Sequence, residues 1–522
     1  MTKLLFEHFV VLMLENRSFD HLFGYLGVGE GLAGVSATNY LKPLDKKTTA
    51  FNAKRGGDYT AIGQGPSHSL KETNMQLFGA TNLPANMPAD QATMSGFVAS
   101  FATSLKTDLK RAPTDSELQQ AMNCFDPVQL PVLSTLAKNF VLCDHWFADV
   151  PGPTMPNRAF VHAATSQGYT WNANWKPQFT CKTLYDRINA NASLSWRVYY
   201  HDNNDVLELY PALKKNPTNN SLFDGNFLTD VAGDNLATYS FITPAFVGTP
   251  RQPVNSMHAP ADVRPAEKLV AEVYSTLRSQ PDVWSKTLLF VLFDEHGGYY
   301  DHVTPPATVS PDNIAGRTDK PFLEPFAFDR LGLRVPAILI SPWFQPAVDS
   351  TIYSHATIPG TLIEALQLPG GFLTKRDKNA AKLTAYLVDD GTRHLRNNTP
   401  EVTVPVQPQP MDAMQREVLA GSVHLDPHPA SRSELRTRDI QDPEQAKAFM
   451  RTQVAKYLEH YFASNGRPQV GSNMTAANQL PSPVVSAARI AEMRSSVKSS
   501  AAKVRERRDT PAKRTKKGAR GR

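Results

Sequence analysis

Two continuous apolar runs stand out from the mixed pattern of hydrophobic and polar positions along the chain. Leu288 to Phe293 and Phe9 to Leu14 each contain six apolar residues and end abruptly at polar side chains. Runs of this length without alternation are typical of strands that are buried on both faces, as in a parallel sheet. Further strands are predicted at 140–143, 195–200, 238–242 and 335–341.

Helical patterns lie between these strands. The segment 265–277 has apolar residues at helical spacing, and 130–139 and 159–165 are also predicted to be helical. The apolar pattern of 17–27 favours a short amphipathic helix that ends at glycine. The buried strands and intervening helices together predict an α/β fold built on an open sheet.

Ligand-type side chains follow each of the two long apolar runs. Asp294 and Glu295 come directly after the first, and Glu15 and Asn16 come directly after the second. Charges also mark the return of any buried strand to water, but the number of candidate ligands here favours a functional site. If the two strands are parallel and adjacent, their carboxyl ends bring these four side chains together.

A hydroxyl group is predicted at the start of a helix. In the segment 150–158 Pro156 suits the first turn of a helix, which places Thr154 at or beside the N-cap. Such a threonine usually only caps the helix. The alternative is that Thr154 is a nucleophile lying against a phosphate, because helix N-termini favour anions.

Histidines in loops complete the candidate chemistry. Taken singly, each is more often structural than catalytic, but a histidine in a site of this kind can protonate a leaving alkoxide. Hard oxygen ligands with a hydroxyl fit one divalent metal ion of unknown identity, which would activate the hydroxyl and neutralise phosphoryl charge. The histidines considered are His68, His258, His302 and His355.

Composition and charge change this picture in one respect. The chain has 522 residues, of which 41% are hydrophobic and 20% charged, as in a globular protein. Its formal charge of +6 comes from the segment 489–522, where 13 Lys and Arg face three acids, so the rest of the chain is mildly acidic. Such a tail is usually solvated and disordered, or it attracts an anionic membrane surface. No specific nucleic-acid binding is predicted.

Cysteine usage and the N-terminal pattern bear on location. Three cysteines are too few for a disulfide framework and are interpreted as reduced thiols. Neither a secretory signal nor an apolar run of about 20 residues is recognisable. The default expectation is a cytoplasmic protein, and export without a signal stays open.

Four separated segments resemble one known family. VVLMLENRSFDHLFGYL (10–26), GPTMPNR (152–158), HAPADVR (258–264) and FDEHGGYYDHVTPP (293–306) are similar to motifs of the bacterial phosphoesterase family. That family contains non-zinc phospholipases C and respiratory-burst-inhibiting acid phosphatases, within the alkaline-phosphatase-like superfamily. The resemblance covers about residues 6 to 370 and has the motifs in the family's order.

The resemblance implies a fold and an activity. The fold is an alkaline-phosphatase-like three-layer sandwich, with a central, mostly parallel sheet and helices on both faces. The activity is metal-dependent hydrolysis of phosphoric esters of the phospholipase C type, through a phosphothreonine intermediate. The alternatives are an acid phosphatase acting on phosphomonoesters and a non-catalytic binding protein with the same fold. The partner is a phosphate ester, with a phospholipid as one candidate.

The resemblance also assigns roles to residues, and His296 receives none. Thr154 becomes the nucleophile. The residues implied to surround one metal ion are Glu15, Asn16, Thr154, Asp294 and Glu295. The residues implied to act in catalysis beside Thr154 are Asn16, His68, His258, His302 and His355.

Three regions are expected along the chain. Residues 1–395 are predicted to form the phosphoesterase catalytic domain. Residues 396–485 form a C-terminal extension with a helix near 445–462, and 486–522 form the basic, disordered tail.

Overall fold

A computed structural model describes residues 3–172, 179–248, 253–318 and 324–404, which belong to one compact unit. The helix expected near 445–462 and the basic tail lie outside the described residues. None of the described helices is both long and apolar enough to cross a membrane. The strands are β1 (His8–Leu14), β2 (Thr38–Tyr40), β3 (Ala50–Asn52), β4 (Lys54–Arg55), β5 (Asn123–Cys124), β6 (Val141–Cys143), β7 (Trp146–Phe147), β8 (Trp196–Tyr200), β9 (Asn220–Leu222), β10 (Tyr239–Thr243), β11 (Thr287–Phe293), β12 (Ala337–Ile340), β13 (Ala347–Asp349) and β14 (Tyr353–Ser354).

Helices of about one to four turns lie in the longer connections between these strands. They are α1 (Phe19–Phe23), α2 (Leu70–Phe78), α3 (Phe97–Leu109), α4 (Asp115–Leu118), α5 (Pro131–Asn139), α6 (Thr154–Ala163), α7 (Leu184–Asn189), α8 (Asp205–Leu209), α9 (Phe223–Ala232), α10 (Arg264–Arg278), α11 (Pro281–Ser285), α12 (Thr357–Ala365), α13 (Lys375–Asn379) and α14 (Thr384–Leu387).

Eight strands form the central sheet in the order β13-β6-β12-β11-β1-β10-β8-β9. Strand β12 runs antiparallel to both of its neighbours, and all the other pairs are parallel. The two long apolar runs become β1 and β11, which pair with each other inside the sheet. Every residue of β11 is buried, as the unbroken apolar pattern predicted. The predicted, mostly parallel α/β sheet is confirmed.

Helices cover the sheet in two groups, which confirms the expected three-layer arrangement. Helix α10 packs on β11 and on α5, and α5 also packs on β6 and β12. The other group is built around α6 and α12, which contact each other and the short helices near them. Apolar side chains of both groups join the strands in one continuous core.

A second, smaller hydrophobic core lies beside the sheet, and the candidate residue His68 precedes one of its helices. Helix α2 packs on α3, and their apolar side chains form a second cluster with residues near 118–124. His68 stands two residues before the start of α2. The segment around His68 is therefore fixed by this second core, although its own sequence shows little periodicity.

Several boundaries differ from those predicted. Helix α6 begins at Thr154 itself, five residues before the predicted start, with Pro156 in its first turn. Helix α1 occupies only Phe19–Phe23 of the longer helix expected at 17–27. The edge strands β9 and β13 were not predicted, because they are three residues long and mostly exposed or half-buried.

One buried carboxylate joins the two helices α5 and α10. The Glu267 carboxylate accepts the N–H groups of Val132 (2.7 Å) and Leu133 (2.9 Å), in the first turn of α5. Burial raises the pKa of Glu267 to about 7, although these two N–H groups oppose the shift. The folded protein thus holds a proton on Glu267 at pH values where an exposed glutamate is ionised.

Glu267→Gln is expected to change how stability depends on pH. The pKa of Glu267 is higher in the folded protein than in the unfolded chain. Its contribution to the stability of the wild-type protein is therefore fully present below about pH 4.5 and is lost as the pH rises toward 7. Across this window the variant should gain up to roughly 3 kcal/mol relative to wild type. Urea unfolding at a series of pH values measures the difference.

Glu272→Gln is the matched control, because Glu272 is an exposed carboxylate on the same helix. It should follow the wild-type curve. A constant difference between Glu267→Gln and wild type from pH 4.5 to 7 would contradict the assignment.

Candidate active site

The carboxyl ends of β1 and β11 meet at one edge of the sheet. Their register pairs Leu14 with Phe293, so the residues that follow each strand lie side by side. The Asn16 N–H donates to Asp294 Oδ1 at 3.1 Å, and the next backbone N–H, of Arg17, donates to the Glu295 carbonyl at 3.0 Å. The structure therefore brings together Glu15, Asn16, Asp294 and Glu295, each no more than 1% exposed.

Three oxygens in this group have no donor among the described residues. They are Glu15 Oε2, Asn16 Oδ1 and Glu295 Oε1, and all three are buried. A buried acceptor without a partner costs about 1–3 kcal/mol, so three in one place call for a cation or another donor. Carboxylate and amide oxygens are the ligands that hard divalent cations prefer. These side chains are of a chemical type that fits such an ion, but Glu15, Asp294 and Glu295 are not among the described groups of three acid or histidine side chains whose ligand atoms all lie within 4.8 Å of one another.

Burial and mutual repulsion perturb these carboxylates strongly. Burial raises the pKa of Glu15 and of Glu295 well above the usual range, and the charge of Asp294 adds to both shifts. Burial also raises the pKa of Asp294, against the opposing effect of the Arg158 guanidinium. The buried strand ends therefore disfavour the negatively charged forms of these carboxyl groups.

Arg158 is the main cation of the site, and no role was predicted for it from the sequence. Its Nε donates to Asp294 Oδ2 (3.3 Å), its Nη1 donates to Asp205 Oδ2 (3.2 Å), and its Nη2 lies 3.7 Å from Glu15 Oε1. The side chain is fully buried. The only sequence signal for a role of Arg158 was its position in the GPTMPNR segment. Its pairing could not be predicted, because the three acids that it contacts are far apart in the sequence.

Thr154 occupies the first position of α6 and does not cap it. The N-cap is Pro153, and no side-chain bond caps this end of the helix. Thr154 precedes Arg158 by four residues, so both lie on one face of α6, the face that reaches the carboxylates. Asn157 holds the turn before the helix. Its Oδ1 accepts the Val150 N–H at 2.8 Å, and its Nδ2 donates to the Val150 carbonyl at 3.1 Å. The Asn157 bonds therefore hold the turn that leads into Thr154.

His68 contacts both strand ends. Asn16 Nδ2 donates to His68 Nε2 at 3.0 Å. His68 Nε2 also lies 3.5 Å from Glu295 Oε1. The rings of His68 and His258 are 5.9 Å apart. Burial lowers the pKa of His68 to about 3, with His258 adding to the shift, and burial also lowers the pKa of His258. Both imidazoles are neutral at pH 7.

The loop that carries His258 is bound to the end of β1. The Glu15 N–H donates to the Ser256 carbonyl at 2.8 Å, and Arg17 Nη2 donates to the Met257 carbonyl at 2.6 Å. His258 Nδ1 bonds the carbonyl of Ala259. These contacts hold His258 beside the end of β1.

His355 is tied to the site through the backbone. Its Nε2 donates to the Asp294 carbonyl at 2.7 Å, and its Nδ1 accepts the indole N–H of Trp146 at 3.2 Å. The residue is completely buried. With both ring nitrogens engaged by protein groups, His355 orients Asp294 instead of presenting a free nitrogen.

His302 belongs to a second cluster. Its Nδ1 bonds Asp20 Oδ2 at 2.6 Å, and Arg334 donates to Asp20 Oδ1 (3.0 Å) and to Asp301 Oδ1 (2.9 Å). Ligand atoms of Asp20, Asp301 and His302 lie within 4.8 Å of one another, which makes them a candidate metal site. The Arg334 guanidinium and nearby backbone N–H groups already satisfy these acids. Burial, followed by the charge of Asp301, raises the pKa of Asp20 to about 6.

His296 supports the structure, in keeping with its lack of an assigned role. Its Nε2 lies 2.7 Å from Gln76 Oε1, which joins the strand end to α2.

Carboxylates, an amide and histidines lie together at this edge of the parallel sheet, and they are the types of side chain that a metal-dependent hydrolase of phosphoric esters uses. Residues 6–369 match the Phosphoesterase family, and the chain belongs to this family. The resemblance noted from the four sequence segments is thereby confirmed.

Two curated relatives illustrate the match. Non-specific phospholipase C6 from Arabidopsis thaliana is 36% identical over 418 residues, which cover 76% of this chain and 74% of the relative. Phospholipase C B from Mycobacterium tuberculosis (strain CDC 1551 / Oshkosh) is 26% identical over 434 residues, covering 73% and 77%.

Similarities to solved structures are weaker. The lipoteichoic acid synthase LtaP from Listeria monocytogenes aligns with a TM-score of 0.31 at 14% identity, covering 47% of this chain and 67% of that one. A protein in the alkaline phosphatase superfamily from Vibrio parahaemolyticus aligns with a TM-score of 0.29 at 13% identity, covering 46% and 60%. Family membership rests on the sequence matches.

Gly297 permits the close approach of the two strand ends. Its φ is +66°, and its N–H donates to Glu295 Oε2 at 2.7 Å. A Cβ at this position would lie 2.1 Å from the carbonyl oxygen of Asn16. Only glycine combines this φ with this contact.

Gly297→Ala is expected to displace Asn16 and to abolish turnover of a phosphate ester, with a loss of several kcal/mol of stability. Gly371→Ala is the matched control, because Gly371 has the same φ of +66° with nothing within 4 Å of a Cβ. The control should lose only about 1–2 kcal/mol from its left-handed backbone and keep its activity. Equal losses in the two variants, by chemical unfolding and assay, would refute the role of the contact.

Proposed function

We propose that this chain is a metal-dependent phosphoesterase of the phospholipase C type, with Thr154 as its nucleophile. The observation that carries the proposal is the group of three buried oxygens at the ends of β1 and β11 that have no hydrogen-bond donor among the described residues. The names of the curated relatives support the phospholipase C branch. The residues proposed to hold one divalent ion are Glu15, Asn16, Thr154, Asp294 and Glu295.

These ligands are preferred over the second cluster for a physical reason. Asp20 and Asp301 already accept bonds from Arg334, whereas three acceptors of the first group have no donor among the described residues. A cation binds where it replaces missing donors and not where it must displace a guanidinium. When bound, the ion supplies positive charge to the phosphoryl oxygens and lowers the pKa of a bound hydroxyl.

The chemistry is proposed to proceed by two displacements at phosphorus. Thr154 Oγ1 attacks the phosphorus atom, its proton passes to His258 Nε2, and the bond to the leaving alcohol breaks. The alkoxide then takes the proton from His258, which releases a neutral alcohol such as diacylglycerol. In the second step water attacks the phosphorus atom and the bond between phosphorus and Thr154 Oγ1 breaks. The proton of the water passes through His258 to Thr154 Oγ1, and the phosphomonoester is released.

The other histidines have supporting roles in this proposal. His68 orients the Asn16 amide through the bond to Nδ2 and lies close enough to Glu295 to contact a bound phosphoryl group. His355 is a positioning residue for Asp294. His302 stabilises, through Asp20, the helix α1 that follows the Glu15–Arg17 strand end.

Thr154→Ala tests the nucleophile. Turnover of a chromogenic phosphorylcholine diester should fall at least 1,000-fold, on the order of the loss of a covalent catalytic group. Thr154→Ser keeps the hydroxyl and should retain measurable activity with phosphate on residue 154 after rapid quenching and mass spectrometry. Because Thr154 makes no side-chain cap, both variants should melt near wild type. Full activity in Thr154→Ala would sink the assignment.

A substrate panel separates the phospholipase from an acid phosphatase. Metal-loaded protein should release diacylglycerol from phosphatidylcholine vesicles and hydrolyse the soluble diester faster than a phosphomonoester. Preference for the monoester would favour the phosphatase. No turnover of any of the three would favour a non-catalytic binding protein, and Thr154→Ala gives the background rate for each assay.

A further inference from the structure

Met257, the residue before His258, has a left-handed backbone conformation. Its φ is +73°, a value that residues with a Cβ atom rarely adopt, and its side chain is fully buried. For such a residue the left-handed region is less favourable than the ordinary regions by a factor of about 5 to 30. Neighbouring groups must therefore hold Met257 in this conformation.

Two hydrogen bonds fix the peptide planes on either side of the Met257 Cα atom. The Ser256 carbonyl, in the preceding peptide, accepts the Glu15 N–H at 2.8 Å. The Met257 carbonyl, in the following peptide, accepts Arg17 Nη2 at 2.6 Å. Because each residue has only two soft backbone dihedrals, fixing both planes sets φ and ψ of Met257. The second of these peptides contains the His258 nitrogen, so the bond from Arg17 also sets where His258 begins.

The Arg17 side chain is buried and makes few other polar contacts. Only 1% of the residue is exposed, and its guanidinium lies over the Tyr299 ring, 4.6 Å from the centroid. Among the described residues the Met257 carbonyl is its hydrogen-bond acceptor, because Nε and Nη1 have none. Burying a guanidinium with so few acceptors is unfavourable. The bond to Met257 is therefore the contact that gives this buried charge a use.

We propose that Arg17 is a positioning residue for His258, which it holds beside the strand ends by keeping Met257 in the left-handed conformation. Arg17 acts through the loop and not on the reacting atoms. The inference rests on the proposed function, in which His258 takes the proton of Thr154 and gives it to the leaving alkoxide. It adds the residue that keeps His258 in place for both transfers.

Arg17→Met removes the donor and the charge but keeps an apolar side chain of similar length. Its kcat for phosphatidylcholine should fall about 100-fold, as expected when a general acid–base group is displaced. Its KM should change little, because the loss occurs after substrate binding. The kcat for the chromogenic phosphorylcholine diester should fall less, because the chromogenic leaving group is stable without a proton.

Replacement of Met257 tests the backbone conformation directly. Met257→Gly and Met257→Ala open nearly the same cavity, but only glycine adopts a positive φ at no steric cost. With Arg17 present the two variants should have equal kcat, because the bond already holds the conformation. In the Arg17→Met background the glycine variant should be about 5 to 30 times faster than the alanine variant.

Met94 provides the matched control. It is also a buried methionine with a left-handed backbone (φ +53°), and its carbonyl accepts Asn39 Nδ2 at 3.1 Å. Met94 belongs to the smaller core and not to the loop of His258. Met94→Gly and Met94→Ala should therefore have equal kcat with Arg17 and with Arg17→Met. A glycine advantage at Met94 in the Arg17→Met background would contradict the inference.

Hydrogen exchange followed by mass spectrometry gives a result that does not depend on turnover. The amides of segment 254–263 should exchange faster in Arg17→Met than in wild type. Unchanged exchange there, or equal kcat of the glycine and alanine variants at Met257 in the Arg17→Met background, overturns the inference and leaves the proposed function intact.

Two further outcomes are also decisive. Loss of the folded state in Arg17→Met, measured by circular dichroism, overturns the inference, because Arg17 would then serve the fold as a whole. No turnover of any substrate by metal-loaded wild type overturns the proposed function, and the catalytic role of the loop with it. The exchange comparison then decides only whether Arg17 holds the loop.

Discussion

The parallel pairing of β1 with β11 is the interaction on which the site depends. Seven residue pairs, from His8 with Thr287 to Leu14 with Phe293, bring both strands to the same edge in the same register. A shift by one residue would turn the ligand side chains to the opposite face. Gly297 and the left-handed Asn16 (φ +61°) then let the two chain segments turn while still in contact. The hydrophobic core that buries the strands therefore also sets the spacing of the acids.

Burying several acids together is electrostatically unfavourable, and the two acidic clusters of the protein differ in how far other groups compensate for it. At the first cluster, Arg158 balances part of the charge and three oxygens keep free lone pairs. At the second cluster, Arg334 bonds both Asp20 and Asp301, and backbone N–H groups complete the set. A fully satisfied cluster stabilises the fold, whereas a partly satisfied one has capacity for a ligand. This difference between the clusters is the physical reason for proposing the metal site at the first.

The sequence predicted the sheet well because unbroken apolar runs report burial directly. The same runs located Glu15, Asn16, Asp294 and Glu295, since a residue that follows a buried strand stays at the sheet edge. Arg158 and Asp205 could not be placed in this way, because their pairing depends on how α6 and α8 pack and not on any local pattern. His302 and His355 illustrate the same limit. Their loops were recognised, but only tertiary contacts show that His302 pairs with Asp20 and His355 with the Asp294 carbonyl.

If the ends of β1 and β11 form one metal site, anomalous diffraction from crystals grown with Mn²⁺ should locate the ion there. One strong peak per chain is expected among Glu15, Asn16, Asp294 and Glu295, within about 2.0–2.6 Å of Glu15 Oε2, Asn16 Oδ1 and Glu295 Oε1. No peak is expected at Asp20, Asp301 and His302. A peak at that second cluster, or none at the first, would show that the metal site is not at these strand ends.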